Sequence, residues 1–381
     1  MPNFSGKWTL TEQAQGAAAG TWSGLTQYEL YSWGPNSFGQ LGLNNATTLS
    51  SPVQVGALTT WSQTAAGSGH SLAVKTDGTI WSWGYGNSGR LGLGDTISRS
   101  SPVQIGALTT WYQIAAGPSF SVAIKTDGTM WSWGAGSSGK LGHNNTTTLS
   151  SPVQIGALTT WAQVALGNYH SVAVKTDGTM WSWGSNDNGR LGLNDIVYRS
   201  SPVQIGSLTT WSQIAAGNES CLAVKTDGTL WSWGSGGNGQ LGHNNTTTLS
   251  SPVQIGALTT WSKIAPGSAQ GFAIKTDGTM WSWGTGGNGQ LGHNNITTLS
   301  SPVQIGALTT WSKIAGGGFH SLAIKTDGTM WSWGTGNFGR LGLDDTANRS
   351  SPVQVGALTT WGQLPKMPSA SHSLPILQTT T

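Results

Sequence analysis

A chain of 381 residues with 57 Gly, 22 Trp and only 8% charged residues is not a disordered one, because disorder goes with charge and few aromatics. The formal net charge is +3 and no run of Lys or Arg occurs, so neither nucleic acid nor an anionic membrane is an expected partner. No stretch of about 18 apolar residues offers a membrane span, and one cysteine, Cys221, excludes an intrachain disulfide framework.

In chain order, residues 1–24 come first and stand outside any repeat. They form an arm, with a short helix expected over residues 11–19 capped by Thr11. The opening "MPNFSGKWTL" has no basic region followed by an apolar run, so no secretory signal is expected. The arm is either a plug or anchor to a larger assembly, or a packed cap.

From there one sentence repeats. "SWG" occurs at 32, 82, 132, 182, 232, 282 and 332, and "SPVQ" starts at 51, 101, 151, 201, 251, 301 and 351. In the unit from Trp111, "WYQIAAG" reads as a strand and "SVAIKT" as a second. "TDGT" is a hairpin turn in which Gly128 takes positive φ. "TMWSWG" is a third strand, with Trp131 and Trp133 on one face because side chains alternate. "SPVQIG" is a fourth, an outer edge strand that tolerates Pro152 at its start. Four short strands per 50 residues, repeated seven times, predict an all-β fold: a seven-bladed β-propeller. Its single domain spans residues 25–381.

The ends predict how the ring closes. "WGQLPKMPSASHSLPILQTTT" supplies strands one and two, with His372-Ser373-Leu374 matching His320-Ser321-Leu322 after a two-residue insertion. Residues 28–34, "YELYSWG", supply strand three, and residues 51–56 supply strand four.

"IAAGPSFSVAIKTDGTMWSWGAGSSGKLG", residues 114–142, and its copies resemble the regulator-of-chromosome-condensation repeat. The resemblance covers about residues 25–375 and implies a seven-bladed propeller. Propellers of this kind serve as nucleotide-exchange factors, enzyme inhibitors, ligase modules and adhesins, so the fold alone names no function. The arm resembles, over a short stretch, the opening segments of propeller proteins of marine bacteriophages.

Loops after strands one and three share one face, called upper here; the turn after strand two and the loop after strand four lie below. The lower "KTDGT" and "GALTTW" segments hardly change between copies, whereas the upper loops differ everywhere. Of the twelve Phe and Tyr, seven fall in upper loops: Phe38, Tyr85, Phe120, Tyr169, Tyr198, Phe319 and Phe338. Exposed aromatics favour recognition; unrestrained loop drift is the competing explanation. The candidate ligand-binding residues are Phe38, His70, Tyr85, Phe120, Tyr169, His170, Asp187, Glu219, Phe319, His320 and Phe338. Copies with His70, His170 and His320 also carry Arg90, Arg190 and Arg340, and Asp and Arg four residues apart, as in Asp195 and Arg199. Such a pair stabilises one loop weakly, or else marks a second kind of subsite.

No catalytic constellation stands out. Three His on blades two, four and seven, by motif order, meet at one metal only if all reach the axis. Asp187 and Glu219 stand alone rather than as an acid–base pair. The glycine-rich 234–242 segment leads to a strand, not a helix, so it is no dinucleotide fingerprint. The expectation is a non-enzymatic recognition propeller without a cofactor, binding a protein or glycan by its upper loops. A virion or the cytoplasm of a bacterial host would suit its composition. The alternatives are a regulator of a small GTPase and an inhibitor of a bacterial enzyme.

Overall fold

The computed structural model describes residues 26–367 and 370–380; the arm and its expected helix lie outside the described residues. Those residues form seven antiparallel sheets of four strands each. Blades are numbered here by their "SWG" motifs, so the closing blade is blade one. In blade three, Trp111–Ala116, Phe120–Lys125, Met130–Gly134 and Leu149–Gln154 run in that order from the axis outward. Blade one is composite, in the order Trp361–Gln363, Ile376–Thr380, Thr26–Gly34, Leu49–Gln54. Its two chain ends pair from Thr26↔Thr380 to Leu30↔Ile376. The second strand is interrupted at Pro375, which has no N–H to give. Ser373 still exchanges backbone hydrogen bonds with Trp33 above the break. No helix among the described residues is long and apolar enough to cross a membrane.

The core lies between blades rather than within them. Leu72, Val74, Ile80 and Ile105 of blade two pack against Trp111, Ile114 and Trp133 of blade three. Trp133 is fully buried, and its indole N–H donates to the Arg90 carbonyl of blade two at 2.9 Å. The same bond recurs at every boundary, and Trp33 to the Arg340 carbonyl, 3.0 Å, closes the ring. The last tryptophan of each third strand thus covers apolar surface while its one polar atom is satisfied, whereas Trp111 is buried with its indole N–H unpartnered among the described residues. Gly139 shows how tightly blades abut. Its φ is +72°, and a Cβ there would lie 2.5 Å from the Ser200 Cα of the next blade.

The lower face is constant for a structural reason. Asp127 accepts from the Thr129 backbone N–H at 2.9 Å and from its hydroxyl at 2.7 Å. Thr129 Oγ1 in turn accepts from Trp131 Nε1 at 2.9 Å, and the Lys125 ammonium lies 3.8 Å from the Trp131 ring centroid. Gly128 has the expected positive φ, +77°, and a Cβ would strike the Thr159 carbonyl at 2.1 Å. Every residue of "KTDGT" is therefore held by hydrogen bonding or packing. The contrast between the faces does not by itself mark function.

Candidate recognition face

The upper loops arise where each inner strand turns back into the second strand and where the third crosses to the fourth. Their inner parts surround a basin of about 490 Å3 at the mouth of the axis, lined among others by Arg90, Ser119, Asn168, Tyr169, Phe319 and Arg340.

Four of the candidate residues are not at this surface. Phe120 and His70, His170 and His320 are buried, at 0–1% exposure. The position opens the second strand, as in the His70↔Gly84 pair, and its side chain turns into the neighbouring blade. His70 Nε2 meets Ser121 Oγ at 3.0 Å, His170 Nε2 meets Cys221 Sγ at 3.1 Å, and His320 Nε2 meets Ser373 Oγ at 3.1 Å. His372 closes the series on Ser71 at 2.8 Å. Ser121 Oγ donates to the Arg90 carbonyl at 3.0 Å, so it accepts from His70, which is neutral with its proton on Nε2. These imidazoles are latches between blades. Among the described residues no three His, Cys, Asp or Glu come together to hold a metal ion. His143, His243 and His293 sit farther out, each against the serine of its own "SWG" motif.

Burial, with help from nearby Arg190 and Arg340, pushes His170 and His320 down to about 3; burial alone brings His372 to about 4. His70 moves the same way, through burial and then Arg90 and His372. The unfolded chain protonates these groups near pH 6.5; the folded chain protonates His170 and His320 only near pH 3 and His372 near pH 4, and His70 only well below its ordinary range. Stability is therefore full above about pH 6.5 and falls as pH drops from there toward 4, by up to roughly 1.4 kcal/mol per pH unit for each imidazole. Carboxylates such as Asp127, held low by the Thr129 bonds, add to the loss only at lower pH. Melting temperature measured across this window should fall steeply. It should fall less steeply for His170→Gln, since Gln270 occupies the equivalent position in blade six. Parallel curves would show that the latches are already charged.

The remaining candidates gather in two sectors. In blades seven, one and two, Phe319, Phe338 and Phe38 are exposed by 53%, 60% and 45%. Phe38 stacks on half-buried Tyr85 of the next blade, ring centroids 4.2 Å apart. The Arg90 guanidinium lies 4.8 Å from the Tyr85 ring and that of Arg340 5.7 Å from the Phe338 ring. Phe338 is also held at φ +61°, a region that bulky side chains avoid.

In blades four and five the chemistry is acidic. Asp187 and Glu219, read as isolated in the sequence, both face the buried Arg190 guanidinium, at 3.9 and 3.6 Å. Asp187 also accepts from the Tyr198 hydroxyl and from Ser185 Oγ, bonds that hold its carboxyl below the usual range. It stays ionised, so it is a poor general acid. Between the sectors lies Lys140, which sequence reasoning passed over. Buried beside Tyr169 and Phe120, it donates to Ser119 and Ser137. Desolvation, then the charge of Arg90, pushes it down to about 8. The Asp–Arg pairs lie on the outer rim, with Arg199 and Asp195 at 2.6 Å and both partly exposed. Asp195 Oδ1 accepts the Val197 N–H as Asn145 accepts that of Thr147, so the loop turn survives either residue.

A closed ring of seven four-stranded blades defines the class: a seven-bladed β-propeller, here with cations and aromatics around one mouth of the axis. The chain belongs to the RCC1-like propeller family. The RCC1-like domain matches residues 150–374, and the regulator of chromosome condensation (RCC1) repeat matches residues 29–74 and 77–124. A second form of that repeat matches residues 61–90 and 111–140. No curated protein matches the chain. Among solved structures it is similar to yeast RCC1 (Prp20) bound to Kap60, at 20% identity and TM-score 0.82, over 94% of this chain and 90% of that one. Prp20p of Saccharomyces cerevisiae, described with its binding properties to Gsp1p and histones, matches at 20% identity and TM-score 0.82, covering 94% and 93%. Human WBSCR16 matches at 22% identity and TM-score 0.83, covering 92% and 98%.

Proposed function

We propose that this propeller is a non-enzymatic module that binds a protein partner through its upper face, chiefly through the aromatic and cationic sector of blades seven, one and two. The observation that carries this is Phe338. A phenylalanine at φ +61° that is 60% exposed combines backbone strain of roughly 1–3 kcal/mol with a side chain left in water. Neither helps folding, and both fit an anchor presented to a partner. Phe38, Phe319, Arg90 and Arg340 complete the pattern of aromatic and Arg anchors typical of protein interfaces. The likeness to a propeller solved with Kap60, and to one described by its binding to Gsp1p and histones, supports a protein over a glycan. It also keeps a small GTPase among the partners to be tested. No observation on the folded chain supports a virion role.

The test is affinity capture from the source organism, followed by calorimetry on the purified partner. The variant with Phe38, Phe319 and Phe338 all changed to Ser should lose at least about a hundredfold in affinity, at ~2 kcal/mol for each anchor that matters. The double variant Leu158→Ser and Leu208→Ser, on the exposed lower loops, should bind as wild type does. Lys and Asp of the "KTDG" turns make poor controls, because they hold the fold. Equal binding by the aromatic variant, with loss in the lower one, would overturn the proposal. A captured GTPase would be assayed for nucleotide release.

A further inference from the structure

One side chain breaks the pattern of the axis. The inner strands present Ala66, Ala116, Leu166, Ala216, Pro266 and Gly316 at one equivalent position of blades two to seven; blade one has Lys366 there. Its strand departs from the repeat as "LPKMP". Lys366 borders a cavity of about 180 Å3 on the axis, walled by residues such as Leu166, Ile214, Ile264 and Ile314. Among the described residues it is the only charged one in that wall.

The ammonium crosses the axis from blade one to blade four, where its one side-chain hydrogen bond among the described residues is a long one, 3.4 Å to the Val164 carbonyl. An ammonium has three donors, so most of its capacity faces the cavity. No carboxylate of the described residues pairs with it. The side chain is accessible within the channel yet enclosed by the ring, and desolvation pushes it down to about 8. A cation so placed lacks a counter-charge, and the space beside it is apolar.

We propose that the axial cavity binds a small organic anion, a monocarboxylate with a compact apolar body, its carboxylate on Lys366 and its body against the aliphatic wall. The size agrees: an apolar cavity of about 150 Å3 in another protein accommodates benzene. The route agrees too. The wall strand Trp111–Ala116 runs on into the loop that lines the upper basin, and Arg90 and Arg340 stand at that basin, where positive charge raises the local concentration of an anion. A charge-assisted hydrogen bond from the ammonium to the carboxylate supplies the specificity.

Calorimetry on the full chain, with benzoate, acetate and benzyl alcohol as probes, tests this. Benzoate should bind at least about tenfold more tightly than acetate, which lacks the apolar body, or benzyl alcohol, which lacks the charge. Lys366→Met keeps the length and removes the charge; it should weaken benzoate at least about tenfold while melting no lower than wild type. If that variant does not fold, the pH dependence decides. Benzoate affinity should be level between about pH 6 and 7.5 and fall as pH rises past about 8, where Lys366 loses its proton. Lys140→Gln removes the other lysine held near 8 and puts in the residue found at Gln40, Gln240 and Gln290; it should keep that fall, and loss of the fall in this variant would overturn the assignment. The arginines at the mouth stay charged throughout. No benzoate binding, equal binding by the Met variant or by benzyl alcohol, or an affinity unchanged to about pH 10 would each overturn the assignment.

Discussion

Deletion of residues 370–381 should open the ring. The strand Ile376–Thr380 is the joint between the chain ends: it pairs with Gln363 on one side and with Thr26 to Leu30 on the other. Leu374 and Ile376 are fully buried against Leu30, Trp61 and Trp83. Two latches leave with them, His372 to Ser71 and His320 to Ser373. So does the bond from Thr64 Oγ1 to the Leu374 carbonyl, 2.7 Å. Burial of Leu374, Ile376 and Leu377 alone stabilises by roughly 1.5–3 kcal/mol each, a sum comparable to the whole stability of many domains. The truncated chain also bares two unpaired strand edges, which invite association. Size exclusion with light scattering should show oligomers, and the unfolding transition should broaden or move far down. A monomer with the wild-type melting temperature would sink this account of closure.

The second large effect separates two tryptophans that stand one residue apart in the sequence. Trp183 is fully buried and donates to the Lys140 carbonyl of the preceding blade at 3.0 Å. The loop of that blade covers it so closely that a Cβ on Gly142 would lie 2.9 Å from its ring nitrogen. Trp181 is half-buried; its N–H stays within the blade on Thr179, and Lys175 lies 3.7 Å from its ring centroid. Trp183→Ala should cost about 3–5 kcal/mol, as large-to-small changes in cores do. Trp181→Ala should cost about 1–2 kcal/mol, the partial burial plus a cation–π contact of ~0.5–1 kcal/mol. Denaturant midpoints of the two variants measure the difference. Equal losses would mean that the blades do not interlock as described.

The local features were legible. Alternation, turn glycines, the outer-edge strand and a 50-residue period without insertions act within one blade, so each could be read from its own segment; Pro152, expected at the start of that strand, instead sits fourth in Leu149–Gln154, where the pairing register is irregular between Leu149 and Val153. Even the closing blade was readable, because both chain ends carry fragments of the same sentence. What lies between blades was not. The seat of His70 depends on Ser121, 51 residues on, and that of Asp187 on Arg190 and on Glu219 from the next blade. Phe120 and the three histidines share upper-loop segments with exposed Tyr169 and Phe319, and nothing in a loop's composition says which side chain turns inward. Lys366 carried a visible signal, a charge at an inner-strand position that is uncharged in the other six blades. Its meaning needed the other six blades around it.

The sequence by itself determined the blade: its four strands, its turn, its paired tryptophans and their number in the ring. Hydrogen bonding within a strand pair and the hydrophobic period are local, and a repeat states them seven times. Only the tertiary structure decided which tryptophan is covered, which histidines became latches and which aromatics stayed in water. Those outcomes follow from contacts between neighbouring blades, and ring closure fixes them because each blade buries its apolar face only when the next is in place.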